Sequence, residues 1–182
     1  MSYTLKILKD HPLSFWKLDE TFGDTAIDYS GCGNNGVYTG ICPNDILPIT
    51  TGTAQSFKVT DTEYITYNII NDYTGSVYDD HFGTKYSSDA DFTIEAWFYP
   101  KIISTNLTPI VADMTNSVGL FYQNGNITFK LDSEELSYTL PDLDRAFHIV
   151  GVYSIDSVQL YINGYLAINK SLSSVISNLL FV

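Results

Sequence analysis

The residues best suited to recognise a ligand lie in one long irregular segment, residues 71–91. This segment reads NDYTGSVYDDHFGTKYSSDAD, which places aromatic rings among carboxylates. An aromatic ring covers the apolar face of a sugar, while a carboxylate binds its hydroxyl groups. The candidate carbohydrate-binding residues are Tyr73, Tyr78, Tyr86, Tyr122 and Asn124. The same composition is typical of a solvated loop or of a contact surface for another subunit, and on composition alone these two alternatives are favoured.

Catalytic chemistry has little support in the sequence. Glycoside hydrolysis uses a pair of carboxyl groups, whereas Glu95 stands alone in the segment FTIEAWFYP. The acidic residues of LDSEEL fall in a turn-like stretch, and no G-x-S-x-G elbow is present. The glycines at positions 31 and 33 lack the flanking strand and helix of a phosphate-binding loop. We therefore expect a protein that is not an enzyme.

A second polar segment, residues 28–36, reads DYSGCGNNG. Its glycines can adopt positive φ, and its Asp, Ser and Asn side chains can bond to nearby backbone groups. A tight structural turn is enough to explain this composition.

The charge balance excludes one class of partner. The 182 residues include 9 basic and 21 acidic side chains, which gives a formal net charge of −12. With Arg145 as the single arginine, little is available to neutralise phosphates, so nucleic acid is not expected as a partner. An acidic surface suits solubility, cation binding or contact with a basic protein face.

Targeting and redox signals are sparse. Residues 1–16 contain no apolar stretch of signal-peptide length, and no segment approaches about 18 continuous apolar residues. We expect synthesis in the cytoplasm and no membrane span. Cys32 and Cys42 are expected to be two reduced thiols, although a disulfide between them is an alternative.

The elements that position these residues are strands and turns throughout. In FTIEAWFY, residues 92–99, apolar residues alternate with others, so one face holds Phe92, Ile94, Ala96 and Phe98. Asn163-Gly164 lies between two alternating apolar runs, which predicts a two-residue hairpin with a type I′ turn. A second hairpin is predicted around Asn124-Gly125. Further strands are expected at residues 15–18, 54–59, 64–70, 109–112, 118–122, 127–131, 136–140 and 147–153, while residues 172–180 favour strand over helix.

About ten strands without βαβ helices predict an all-β fold, a two-sheet antiparallel jelly-roll sandwich. We expect residues 1–182 to form a single domain, since no linker or repeat is evident.

Several motifs, taken in order, resemble a known family. They are SFWKLDE at residues 14–20, AIDYSGCGNNGVYTG at 26–40, AQSFKVTDTEYITY at 54–67, FTIEAWFYP at 92–100 and FHIVGVYSIDSVQLYINGYL at 147–166. This order is similar to that of laminin-G-like members of the concanavalin A-like lectin and glucanase superfamily. Phe147 stands where that family usually has tryptophan, which is a conservative change.

The resemblance implies a jelly-roll sandwich and a binding role. It also implies a calcium site, for which Asp28, Asn34 and Asp61 could supply oxygens. The family's closing strand is missing after residues 177–182, where the chain ends on an apolar run. We therefore expect the N-terminal part of a longer chain, or a sheet that another segment completes.

The function expected from this resemblance is that of a virion structural or adhesion protein, in a bacteriophage tail, fibre or head-decoration component. Its partners would be other virion proteins, copies of itself and glycans of the host surface. The alternative is a carbohydrate-binding module of a bacterial surface or secreted protein, which would place the chain at the cell surface or outside the cell.

Overall fold

A computed structural model describes residues 2–40, 46–49, 52–55, 64–67, 91–112, 117–132 and 134–173. The chain divides into two compact units, Met1–Gly83 and Thr84–Val182. Each unit has its own secondary structure.

Among its described residues, the first unit has one short helix and five short strands. The helix is α1 (Tyr3–Lys9), and the strands are β1 (Thr25–Ala26), β2 (Gly36–Thr39), β3 (Ile46–Ile49), β4 (Gly52–Gln55) and β5 (Tyr64–Tyr67). Strands β1, β2 and β5 form a three-stranded antiparallel sheet, and β3 pairs with β4 as a hairpin.

The second unit is a sandwich of two four-stranded antiparallel sheets. Its strands are β6 (Phe92–Phe98), β7 (Thr108–Ala112), β8 (Val118–Gln123), β9 (Asn126–Leu131), β10 (Glu134–Thr139), β11 (Phe147–Ser154), β12 (Ser157–Ile162) and β13 (Tyr165–Ser171). One sheet has the order β10-β9-β8-β7 and the other the order β13-β12-β11-β6. The predicted all-β, two-sheet antiparallel sandwich is therefore confirmed.

Apolar side chains from the two sheets meet to form the core. The ring of Phe92 on β6 meets the ring of Phe129 on β9 edge-on, with 6.5 Å between centroids. Gly151 on β11 lies so close to Phe129 that an added Cβ would come within 2.6 Å of its ring. This fit reflects the period of two along each strand, because alternate residues of β9, β11 and β12 are buried.

Both predicted Asn-Gly hairpins are present. Asn124 and Gly125 have φ of 51° and 80°, while Asn163 and Gly164 have φ of 53° and 81°. Positive φ at both central residues is the signature of the type I′ turn, whose twist matches that of the flanking strands. These turns join β8 to β9 and β12 to β13.

Two local predictions were wrong. The sequence indicated no helix, yet α1 forms at the N-terminus, where the Ser2 side chain accepts a hydrogen bond from the Leu5 backbone N–H. Residues 15–18 do not form a strand. Trp16 makes only an isolated bridge with Asp28, and Leu18 adopts φ of 55°, a left-handed conformation that ends an extended run.

Candidate functional site

Asp28 is the centre of a buried hydrogen-bond network in the first unit. Its Oδ1 accepts from the backbone N–H groups of Phe15 and Ser30, each at 2.9 Å. Its Oδ2 accepts from the Ser30 hydroxyl at 2.8 Å and from the backbone N–H of Asn34 at 2.9 Å. Burial raises the pKa of Asp28, but these hydrogen bonds to the ionised form outweigh it, so the pKa lies below its usual range.

The two N-terminal motifs are joined through this network. The side-chain amide of Asn34 donates to the Leu13 carbonyl and to the Ser14 hydroxyl, and the Trp16 indole N–H donates to the Asn34 carbonyl at 2.8 Å. The glycine-rich turn and the SFWKLDE segment are therefore held together mainly by side-chain hydrogen bonds, with one backbone bond from the Tyr29 N–H to the Phe15 carbonyl instead of a strand ladder. This arrangement is a structural clamp.

Glu20 joins the SFWKLDE motif to β2 and to Ile27, the residue that follows β1. Its Oε1 accepts from the Ile27 backbone N–H at 2.9 Å, and its Oε2 accepts from the Tyr38 hydroxyl at 2.6 Å. Burial and the neighbouring Glu20 carboxylate raise the pKa of Tyr38 far above its ordinary value, so the hydroxyl remains a donor.

The geometry around Asp28 does not fit a calcium ion. Calcium takes about six to eight oxygen ligands, whereas each carboxylate oxygen of Asp28 already accepts two hydrogen bonds from protein donors. The Asn34 side chain is directed to the Leu13 and Ser14 positions instead. Asp61 lies outside the described residues, so a calcium role for it stays a prediction.

The sugar-site candidates are only partly described. Tyr73, Tyr78 and Tyr86 lie outside the described residues, and their role stays a prediction. Tyr122 is 3% exposed, and its hydroxyl donates to the Ile102 carbonyl. Its ring packs against Phe98 at 5.1 Å. Because this ring is in the core, burial raises the pKa of Tyr122 and no face is open to a sugar, which removes it from the candidates.

Asn124 is exposed, and its main role is in the turn. It occupies the first positive-φ position of the β8–β9 hairpin, and its backbone N–H donates to the Ser104 carbonyl at 2.7 Å. The structure thus separates Asn124 on the surface from Tyr122 in the core, and the two do not form a common site.

A different set of residues lies on the side of the sheet β13-β12-β11-β6 that is turned away from the core. We call this set the outer face. Residues that pair directly across antiparallel strands share a side of the sheet. The register therefore gives three rows: Trp97 and His148; Glu95, Val150, Tyr161 and Leu166; and Thr93, Val152, Gln159 and Asn169.

One end of the outer face holds a Trp-His-Glu group. The His148 ring lies 5.0 Å from the Trp97 ring, and its Nε2 lies 2.8 Å from Glu95 Oε1. The side chains of His148 and Glu95 are 22% and 33% exposed, so the group is accessible to a ligand. Glu95 stands alone in the sequence because its partner His148 lies 53 residues away, on a strand whose register with β6 only the fold defines.

The other end holds a chain of aligned hydrogen bonds. The Tyr161 hydroxyl donates to Gln159 Oε1 at 2.9 Å, and Gln159 Nε2 donates to Asn169 Oδ1 at 3.2 Å. Consecutive hydrogen bonds of the same direction polarise one another. Because Asn169 Oδ1 is the acceptor at the end of this series of hydrogen bonds, the Asn169 amide is oriented with its N–H groups as donors, at an exposed position of β13.

A bulge completes this face. The register shifts between Leu160 and Tyr161, so that Leu160 pairs with Ile168 and Tyr161 with Leu166, which leaves Ala167 as the extra residue. In a regular strand Leu166 and Asn169 would lie on opposite sides. The bulge places both on the outer face, where Leu166 is 51% exposed.

Taken together, the two four-stranded sheets and the core between them define an antiparallel β-sandwich. The profile of the concanavalin A-like lectin/glucanases superfamily matches residues 72–179. The chain belongs to this superfamily. No curated protein matches the chain by sequence.

One solved structure with a similar fold is the binding domain of botulinum neurotoxin DC in complex with rat synaptotagmin II. It superposes with a TM-score of 0.59 at 16% sequence identity, and the match covers 91% of this chain and 41% of that one. The chain thus spans less than half the length of this relative, and at this identity the likeness concerns the fold. In the part of the chain that the structure describes, no helix is long and apolar enough to cross a membrane.

Proposed function

We propose that the chain is a lectin-like, non-enzymatic domain of a bacteriophage structural or adhesion protein, in a tail, fibre or head-decoration component. Its role would be assembly of the particle and contact with glycans on the host surface. The observation that carries the glycan part is the outer face, where partly exposed aromatic rings lie beside amide and carboxylate groups. Aromatic rings next to convergent polar groups are the usual components of a saccharide site.

Two further observations support binding rather than catalysis. Glu95 is hydrogen-bonded to an imidazole, whereas glycosidases of either stereochemistry use two carboxyl groups across the scissile bond. The solved relative is described as a binding domain that is in complex with a protein, so a protein partner is also part of the proposal.

The partners we propose are other virion proteins, copies of this chain and a host glycan. The net charge of −12 favours a basic face on a protein partner. The alternative is a carbohydrate-binding module of a bacterial surface or secreted protein, and for it we propose the same outer face as the glycan site.

The location of the protein tests the virion proposal directly. We expect mass spectrometry of purified phage particles to find the chain at a stoichiometry of several copies per particle. Its recovery from the bacterial cell-surface or culture fraction, together with its absence from purified particles, would contradict the virion proposal and support the bacterial module.

A further inference from the structure

We infer that the outer face binds a neutral oligosaccharide and discriminates against acidic sugars. This inference rests on the proposed glycan contact and adds to it the site and the chemical class of the ligand.

The two aromatic rings of the outer face are spaced to contact two separate rings of one oligosaccharide. Trp97 lies on β6 and Tyr161 on β12, two strands apart, and their rows are two residues apart along β11. With strands about 4.8 Å apart and about 3.4 Å per residue, their Cα atoms are roughly 12 Å apart. That distance matches a short oligosaccharide better than a monosaccharide.

Both rings are held in place before a ligand arrives. The Trp97 ring packs on His148, which Glu95 fixes by a hydrogen bond. The Tyr161 side chain is fixed through its hydroxyl by Gln159. Preorganised rings bind a ligand without the entropic cost of ordering the side chains.

Polar groups that can bond to sugar hydroxyls flank the two rings. Asn169 presents the N–H groups at the end of the Tyr161-Gln159-Asn169 chain. Glu95 presents a carboxylate that is one-third exposed. The face therefore offers donors at one edge and an acceptor at the other, which suits hydroxyl groups because a hydroxyl both donates and accepts.

Charge sets the class of the ligand. The Glu95 carboxylate, which is one-third exposed, would repel a carboxylated sugar. Among the described residues beside the face, Lys170 on β13 is already paired with Glu134 on β10, so this ammonium group is less available to a ligand. The chain as a whole carries −12, which adds long-range repulsion of anions.

Binding of the whole chain to an array of neutral, sialylated and uronate-containing oligosaccharides tests the inference. We expect retention of neutral oligosaccharides and weaker retention of acidic ones. Trp97→Ala should lower the affinity for the retained neutral glycan by about tenfold or more, and Asn169→Ala by about threefold. Asn169 is exposed, so Asn169→Ala keeps the fold and reports on binding even where Trp97→Ala lowers the melting temperature.

A matched control is Phe22→Ala, which removes an aromatic ring that is 85% exposed and belongs to the first unit. The Phe22→Ala variant should bind the retained neutral glycan with the same affinity as the wild type. Retention of acidic glycans only, or neutral binding that Trp97→Ala and Asn169→Ala both leave unchanged, would overturn the inference while glycan contact itself stands. Retention of no glycan at all would overturn the glycan part of the proposed function and the inference with it.

Discussion

Replacing Asp28 by asparagine should lower the free energy of unfolding by about 2–3 kcal/mol, because it leaves a buried donor without a partner. An amide has one oxygen, whereas the carboxylate uses two. Placed with its NH2 at the Oδ2 position, the asparagine would face the backbone N–H of Asn34, a residue that is 2% exposed. Ser30 can rotate its hydroxyl to adapt, but a backbone N–H cannot. Thermal or urea unfolding measures the loss.

Asp24→Asn is the matched control. It makes the same change of charge in the same unit, but Asp24 is exposed, so we expect a change within about 0.5 kcal/mol. Equal stabilities of the two variants would show that the Asp28 network does not hold the N-terminal motifs together.

The stabilisation from Asp28 should also depend on pH. The pKa of Asp28 is lowered in the folded chain. Its contribution is therefore complete above the unfolded value of about 3.9 and is lost as the pH falls through the lower, folded value. The difference in stability between wild type and Asp28→Asn should be constant near neutral pH and shrink below about pH 4. A difference that persists undiminished in acid would contradict an ionised Asp28.

Gly119→Ala should destabilise the chain by about 3 kcal/mol or more, because the new methyl group has no space. Gly119 on β8 has φ of 152°, and an added Cβ would lie 2.3 Å from the Val111 carbonyl oxygen and 2.6 Å from the Ala112 Cα. Both atoms belong to the backbone of the neighbouring strand β7, so relief requires the ladder to move. Urea unfolding should show a lower midpoint or no folded baseline.

Gly125→Ala separates this steric effect from backbone strain. Gly125 also has positive φ, at 80°, but no heavy atom lies within 4 Å of its added Cβ. We expect a loss of about 1 kcal/mol there. If the two variants lose equal stability, conformational strain rather than contact between β7 and β8 would account for the need for glycine at position 119.

The sandwich was predictable because its signals are local. Alternation of apolar residues marked β6, β9, β11 and β12, and each Asn-Gly pair marked a turn that needs positive φ at two positions. These properties depend only on residues a few positions apart, so they can be recognised from a single sequence.

The first unit was harder to predict for two physical reasons. Helix α1 is only 7 residues long, which is too short for its apolar period to be recognised. The segment SFWKLDE has strand-like residues, but it is held by side-chain hydrogen bonds to Asn34, Asp28 and Ile27. Those bonds depend on residues 7 to 18 positions away, which local propensity does not record.

The outer face was missed because it depends on register. Trp97 and His148 are cross-strand neighbours, and β7 to β10, which lie between them in sequence, belong to the other sheet. The bulge at Leu160/Tyr161 further changes which residues of β13 share a side. Tyr122 was wrongly predicted to be a surface residue for a different reason. The first five residues of β8 are all buried, so its sequence shows no alternation that would have marked Tyr122 as a core residue.

Backbone amide chemical shifts, followed while a neutral oligosaccharide is added to the ¹⁵N-labelled chain, test the central claim most directly. If the outer face is the glycan site, the shifts that change will belong to β6, β11, β12 and β13, and those around Trp97, Tyr161 and Asn169 will change most. Changes confined to the β8–β9 turn at Asn124, or to the sheet β10-β9-β8-β7, would contradict it.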